Sequence, residues 1–337
     1  MRDSTTWAIA GTKTMRLGSR KILSRWGGNL QNIEKGLRQI YQADEGKLLV
    51  QTDQSGAEAL IVAYLCYPGA FRQLFIHGIK PHVYVAMHLF RDEWKKRLHI
   101  DGVDIDKIIA TPIQALKSQL GFRELEALIK DSDNWSAKER YYYLAKQTCH
   151  SANYSITKHP FRMNILEKSE GEINISIEEA EHFLLVYRGL FPEIEDWHRR
   201  VRRQVEDTHM VYNLLGNPIR ISSYDIQDNK WKEIYAIIPQ STVGMIANVA
   251  YSNMQTYIEQ ENLDWDMLVN GHDSIVSQAP ITEALDCARK QKEFIEQSFI
   301  SPVDGVEFKM RSESMIGNNW APYKPEKNPL GLKEVKI

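Results

Sequence analysis

The apolar positions of this chain fall in short blocks separated by charged and turn-forming stretches. Leu48-Leu49-Val50-Gln51-Thr52-Asp53 carries the backbone to a carboxylate and predicts a strand over 48–53. Glu58-Ala59-Leu60-Ile61-Val62-Ala63-Tyr64-Leu65 continues as an apolar helix to about Cys66, and Tyr67-Pro68-Gly69 reads as a turn. From Phe71 to Phe90 apolar residues recur at helical spacing around Pro81 and His82. Residues 91–135 are charged and helix-prone, with breaks at Asp101-Gly102 and Thr111-Pro112 and a loop over 131–135. Ser136-Ala137-Lys138-Glu139 has capping-box spacing and predicts a helix through Tyr154. Ser176-Ile177-Glu178-Glu179 repeats that signal for a helix to about Gly189; Phe191-Pro192 breaks it, and another runs to about His209. A strand–turn–strand over 214–220, a helix from Thr242 to Glu259 and an amphipathic helix over 281–297 follow. Asp266–Asn270 and Ser274–Ser277 flank Gly271-His272-Asp273 as a β-hairpin. The first 47 residues are polar and turn-rich, and the Pro- and Lys-rich tail after Trp320 is expected to be loose.

Composition changes this picture little. The chain has 337 residues, 43% hydrophobic and 26% charged, room for two or three structural units. No apolar run reaches the ~18 residues of a membrane helix, so no membrane association is expected. Met1-Arg2-Asp3-Ser4-Thr5 opens on polar sequence and does not read as a signal peptide. Cys66, Cys149 and Cys287 are far apart and form no CxxC, which predicts reduced, buried thiols and a cytoplasmic setting. Net charge is −2, yet charge is uneven. Between Met1 and Ile40 the basic residues are Arg2, Lys13, Arg16, Arg20, Lys21, Arg25, Lys35 and Arg38, against Asp3 and Glu34. His198-Arg199-Arg200-Val201-Arg202-Arg203 is a second basic cluster. Basic stripes suit a phosphate backbone, and they also suit a solvated face.

Two constellations can carry chemistry. Asp53 ends one strand and Asp273 sits at a hairpin bend. On neighbouring strands they would supply the minimum for two Mg²⁺ ions about 4 Å apart in phosphoryl or nucleotidyl transfer. An aspartate pair alone does not define such a site. Lys146, His150 and Tyr154 fall at i, i+4 and i+8 of one predicted helix. That face would suit a nucleotide, and equally a half-exposed helix with Tyr154 in the core.

The order of motifs resembles the palm and fingers of family A DNA polymerases. Asn29-Leu30-Gln31-Asn32-Ile33 is similar to the asparagine-rich segment before the first catalytic strand. Asp53-Gln54-Ser55-Gly56-Ala57-Glu58 resembles motif A, D-Y-S-Q-I-E; Lys146 to Tyr154 resembles motif B; Gly271-His272-Asp273-Ser274 resembles motif C, V-H-D-E. Gly317-Asn318-Asn319-Trp320 resembles the G-x-N-W near the family's C-terminus.

The resemblance implies roles. Asp53 and Asp273 would bind the two Mg²⁺ ions with the Gln54 carbonyl. Glu58 would be a steric gate against the ribose 2′-hydroxyl. Lys146 and His82 would hold the triphosphate, His150 would abut the sugar, and Tyr154 would sit at the templating position. Arg16, in Thr14-Met15-Arg16-Leu17-Gly18-Ser19, would read the minor groove near the primer end. Asn29, Gln31, Asn32, Gln240, Asn270 and His272 would line the duplex and primer terminus. His150 replaces the family's usual Phe or Tyr against the sugar, and three further departures stand out. Tyr142 occupies the position of the family's motif B arginine, the nearest basic residue being Arg140 on a different helical face. Ser155 replaces a glycine, and Ser274 replaces the motif C glutamate.

The expected fold is α+β: a right-hand polymerase palm of antiparallel sheet with inserted helical fingers, lacking a full thumb and exonuclease domain. Palm would come from residues 1–60 and 216–337 and fingers from 61–215, with an extra helical insertion at about 91–135. The expected function is template-directed DNA polymerase, transferring dNTPs to a primer 3′-hydroxyl on primer–template DNA, in phage-type replication or in repair. A separate chain would supply thumb and exonuclease if this is one piece of a split enzyme. The alternatives are a non-catalytic primer–template-binding remnant and a metal-dependent nuclease.

Overall fold

The computed structural model describes residues 6–8, 12, 14, 16–20, 29–34, 36–227 and 230–337. Met1–Thr5, Lys13, Met15, Lys21, Arg25, Lys35 and the Arg20 side chain lie outside the described residues.

Strands β1 (Thr6–Ala8) and β2 (Gly18–Arg20) form a small antiparallel pair. Then come β3 (Lys47–Gln54) and helices α1 (Ala57–Leu65), α2 (Ala70–Ile76) and α3 (Pro81–Leu89). The charged stretch folds as α4 (Arg91–Arg97), α5 (Ile105–Ala110), α6 (Ile113–Leu116) and α7 (Phe122–Asp131). Helices α8 (Tyr141–Ala152), α9 (Lys158–Lys168), α10 (Ile177–Leu190) and α11 (Pro192–Thr208) lead to the hairpin β4 (Met210–Tyr212) and β5 (Pro218–Arg220). After α12 (Ser223–Gln227) and α13 (Trp231–Gln260), β6 (Asp266–Asn270) and β7 (Ser274–Pro280) form the expected hairpin. The chain closes with α14 (Ala284–Ile295), β8 (Ser298–Ile300), β9 (Glu307–Lys309), β10 (Ser312–Gly317) and β11 (Lys333–Val335).

The main sheet has five strands in the order β11-β10-β3-β7-β6, each pair antiparallel. β3 is central because both of its faces are covered, which its period of two makes visible. Val50 packs against Met254, Ala279, Cys287 and Ala288, beneath α13 and α14. Leu49 points the other way, to Leu30, Val276, Trp320 and Leu332. On the first face Thr52 hydrogen-bonds Gln291 (2.8 Å) and Ser314 (2.9 Å), so even its buried polar position is satisfied. The architecture is thus a mixture of helices and antiparallel sheet, as the resemblance implies. The 91–135 helices do not stand apart: Trp94, Ile108, Leu116, Phe122 and Ile129 join the same apolar core as α1, α3, α8 and α10. No helix among the described residues is long and apolar enough to cross a membrane. All three cysteines are buried and free.

Several expectations need correction. Ser136 Oγ donates to the Glu139 carboxylate (2.7 Å) and caps no backbone amide. Only a 3-10 turn, Ala137–Glu139, follows; Arg140 (ψ 62°) interrupts it, and α8 starts at Tyr141. α8 ends at Ala152, so Tyr154 lies beyond it, in a turn where Ser155 has φ +59°. At Ser176 the same spacing gives a true capping box. α13 starts eleven residues before Thr242 and runs through Pro239. Ile234, Tyr235, Ile237 and Ile238 extend its buried face across the proline, and the Ser241 and Thr242 hydroxyls both donate to the Ile238 carbonyl (3.1 and 2.8 Å). The first strand of the 214–220 hairpin ends at Tyr212, and Asn213 Oδ1 accepts from the Leu215 and Asn217 amides of the loop. The tail is not loose. Asn319 and Asn328 exchange amide hydrogen bonds (2.8 and 2.9 Å), and β11 extends the sheet beside β10.

Candidate active site

Strand pairing brings the two predicted aspartates together. Asp53 lies directly opposite Ser274, and the Gln54 amide donates to the Asp273 carbonyl (2.9 Å). Asp53 is half-buried and its carboxyl is raised by burial, with the Gln51 and Ser274 hydrogen bonds pulling the other way. Asp273 is more exposed, yet surrounding protein atoms and then the Asp53 charge also raise its carboxyl. Each shift disfavours the charged form. Gln51 Nε2 bridges both Asp53 oxygens (2.8 and 3.0 Å), while Gln51 Oε1 accepts from Trp320 Nε1 (2.7 Å). The Arg38 guanidinium lies 4.7 Å over the Trp320 ring. Gln51, Trp320 and Arg38 carry no role in the sequence reading. The available signal was a polar residue two positions before Asp53, hence on its face of the strand, inside an apolar run.

No group of three or more His, Cys, Asp or Glu side chains suited to a metal occurs among the described residues. Two carboxylates nevertheless fit magnesium, which takes few protein ligands and keeps waters and substrate phosphates. Their mutual repulsion is what a cation relieves. Gln54 Nε2 is tied to the Val243 carbonyl (3.0 Å), and Gln54 Oε1 is buried with no hydrogen-bond partner.

Glu58 lies in the first turn of α1, after Gly56, whose φ of +59° starts the helix tightly. Its Oε1 accepts from Arg16 Nη2 (2.9 Å) and its Oε2 from the Tyr154 hydroxyl (2.7 Å). Burial and the Glu58 charge keep the Tyr154 phenol protonated, well above its usual range. Arg16 reaches this place because α13 has glycine at 244: a Cβ there would lie 2.9 Å from Arg16 Cγ and 3.3 Å from the Thr14 carbonyl. The Arg16 Nε is buried without a partner.

Lys146 and His150 are exposed one turn apart on α8. The His82 ring, from the first turn of α3, sits 5.4 Å from the His150 ring and 5.9 Å from the Tyr142 ring. Burial, with the positive charges of His150, Lys146 and Lys80, holds the His82 imidazole at about 3. Arg140 faces away, toward Asp133 (3.8 Å), Glu172 (3.6 Å) and the Tyr143 ring. It does not replace the arginine whose place Tyr142 holds.

A third group forms around the hairpin. Gln31 Nε2 donates to the Asn270 carbonyl (2.9 Å) and lies 3.3 Å from His272 Nδ1. Asn270 Nδ2 donates to Asn248, and its Oδ1 receives the His272 amide, whose residue has φ +74°. Asn29 Oδ1 caps the short turn bearing Gln31. Asn32 is exposed and Gln240 half-buried on α13; neither side chain hydrogen-bonds another of the predicted residues. The Glu58 charge is felt at both Asp273 and His150, so it links the groups. The second basic cluster is largely structural. Arg200 donates to the Leu65 carbonyl (2.6 Å) and stacks on Tyr67, Arg202 stacks on Trp231, and His198 is buried against Tyr235.

Comparison with known proteins gives a consistent picture. Residues 127–322 match the profile of DNA polymerase family A. DNA polymerase I of Treponema pallidum is 24% identical over 84% of the chain and 24% of its own length. DNA polymerase I of Aquifex aeolicus is 23% identical over 87% of the chain and 42% of its own length. The chain therefore spans well under half of these relatives. Among solved structures, the POL domain of Pol1 from M. smegmatis, in complex with DNA primer–template and dNTP, superposes with a TM-score of 0.65 at 19% identity, over 94% of the chain and 47% of that structure's.

Proposed function

The chain belongs to DNA polymerase family A, and we propose that it extends a DNA primer on a template, transferring dNTPs to the 3′-hydroxyl in replication or repair. The observation that carries this reading is the Asp53–Asp273 pair, Asp53 near the end of β3 and Asp273 in the bend just before its neighbour β7, with Lys146 and His82 close together between α8 and α3. Asp53, Asp273 and the Gln54 carbonyl are the proposed donors for two Mg²⁺ ions, which when bound supply positive charge for the attacking and leaving oxygens.

The chain's own residues do the rest. Gln51 and Ser274 orient Asp53. Lys146 and His82 bind the triphosphate and favour departure of pyrophosphate, and His150 abuts the sugar. Glu58, pinned by Arg16 and Tyr154, occupies the space a 2′-hydroxyl needs. Arg16, Gln31, Asn270 and His272 face the primer terminus and check pair shape through minor-groove acceptors common to every base pair. In this reading the sheet strands and their flanking segments, 1–60 and 216–337, are palm and 61–215 are fingers. Catalysis then rests mainly on positioning and charge.

Primer extension with Mg²⁺ and dNTPs is the test: the chain should add templated nucleotides and Asp273→Ala should abolish this. Equal extension by Asp273→Ala would overturn the assignment. A second reading, primer–template binding without incorporation, draws on Tyr142 at the arginine position and on Arg140 turned elsewhere. Tight binding of primer–template with no incorporation at any dNTP concentration would favour it.

A further inference from the structure

We infer that Lys80 is a triphosphate-binding residue, the second cation that α8 lacks where it carries Tyr142. This deepens the polymerase reading and rests on it. Lys80 is exposed and stands immediately before Pro81, the first residue of α3. His82 follows two residues later, with its ring against those of His150 and Tyr142 on α8. The groups that perturb His82 are all positive: His150, Lys146 and Lys80. Neither Lys80 nor Lys146 forms an ion pair among the described residues, whereas Lys95, Lys96 and Lys130 do. Tyr142 adds no charge, since burial raises its phenol above the usual range.

Two ammonium groups without ion pairs, beside a neutral imidazole, put positive charge on this surface, with the Glu58 carboxylate acting on His150. An anion bound there would be attracted by both ammonium groups. The start of α3 adds the positive end of a helix, and Pro81 has no N–H of its own. A polyphosphate spanning Lys80 and Lys146 across His82 matches this charge. An arginine on α8 would grip it from one helix; here the grip comes from two, so triphosphate binding also ties α3 to α8.

The test is equilibrium binding of dATP, inorganic tripolyphosphate and deoxyadenosine to the full chain, in magnesium buffer without primer, so that no turnover occurs. Lys80→Ala should weaken dATP and tripolyphosphate roughly tenfold each, the effect expected for one charge-assisted contact. Deoxyadenosine binding should not change, and Lys80→Arg should bind as wild type does. Tyr142→Arg placed in the Lys80→Ala chain should restore most of the loss, whereas the surface control Arg199→Ala should have no effect. The inference is overturned if Lys80→Ala binds tripolyphosphate like wild type, if deoxyadenosine is lost equally, or if the wild type binds no tripolyphosphate. Primer extension by the wild type, run in parallel, judges the polymerase reading separately. Lys80-dependent binding without extension would defeat that reading and leave the phosphate site standing.

Discussion

The Tyr154 hydroxyl donates to Glu58 Oε2 across 2.7 Å, although Tyr154 lies beyond the end of α8 and Glu58 in the first turn of α1. Arg16 holds the other oxygen. The carboxylate is therefore fixed from both sides. Glu58→Ala should relax sugar discrimination by on the order of 10- to 100-fold, read as the ratio of kcat/KM for dNTP and rNTP. Tyr154→Phe should relax it less, because Arg16 remains. Full exclusion of ribonucleotides by Glu58→Ala would remove Glu58 from the gate.

The aspartate pair should make stability fall as pH rises. Both carboxyls are raised in the folded state, so the native protein binds protons more tightly than the unfolded chain. Stability is then greatest below the ordinary carboxylate range and declines as pH climbs through the raised native values. Asp273→Asn should flatten this decline and raise Tm near neutrality while abolishing incorporation. Urea titrations at a series of pH values check it; an unchanged pH slope would show that the pair is not strained.

Magnesium should reverse the same penalty. Adding Mg²⁺ to the wild-type chain should raise Tm, by linkage to a site present only in the native state. Asp53→Asn should lose most of that rise. Equal stabilisation of both proteins by Mg²⁺ would place the binding elsewhere.

Gln51 should act through Asp53. Gln51→Ala removes the amide that bridges both Asp53 oxygens and frees the Trp320 indole N–H. Loss of such an outer partner typically costs about 10- to 100-fold in activity or metal affinity. A raised Mg²⁺ requirement with unchanged primer–template binding is the expected signature. Trp320→Phe, which deletes only the N–H donor, should move the same parameter in the same direction by less.

The tail clip should matter for stability. Asn328→Ala breaks the reciprocal amide pair with Asn319 and strands a buried polar group, a cost of roughly 1–3 kcal/mol. Gly331→Ala should be worse, since its Cβ would meet the Asn328 amide and, at 2.5 Å, the Ala321 carbonyl. Denaturant midpoints decide both.

Elements whose signals are local were legible in the sequence. β3 and the β6–β7 hairpin show alternation or a bounded turn, and they place Asp53 beside Asp273. Ser136 and Ser176 show the limit of such signals. The spacing is identical, but one hydroxyl is taken by a carboxylate and the other caps amides. The first eleven residues of α13 were missed; its buried face continues on both sides of Pro239, a residue that ordinarily breaks a helix. The tail misled because its order comes from an asparagine pair and from close backbone approach at Gly317 and Gly331, neither of which has a periodicity. Gln51 and Trp320 are 269 positions apart, so only the folded sheet could join them. Tyr154 reaches Glu58, but by a turn and not along the helix face the spacing suggested.

The central place of β3 also sets an order of assembly. Thr52 meets Ser314 across 262 positions of sequence. A ribosome releases the N-terminal part of a chain first, so β3 emerges long before either of its ladder partners. Until Ser274–Pro280 appears, Asp53 has no Asp273 beside it; until Ser312–Gly317 appears, β3 keeps an open edge. On the proposed reading a half-made chain has an incomplete aspartate pair and a strand edge open to mispairing until its neighbours arrive.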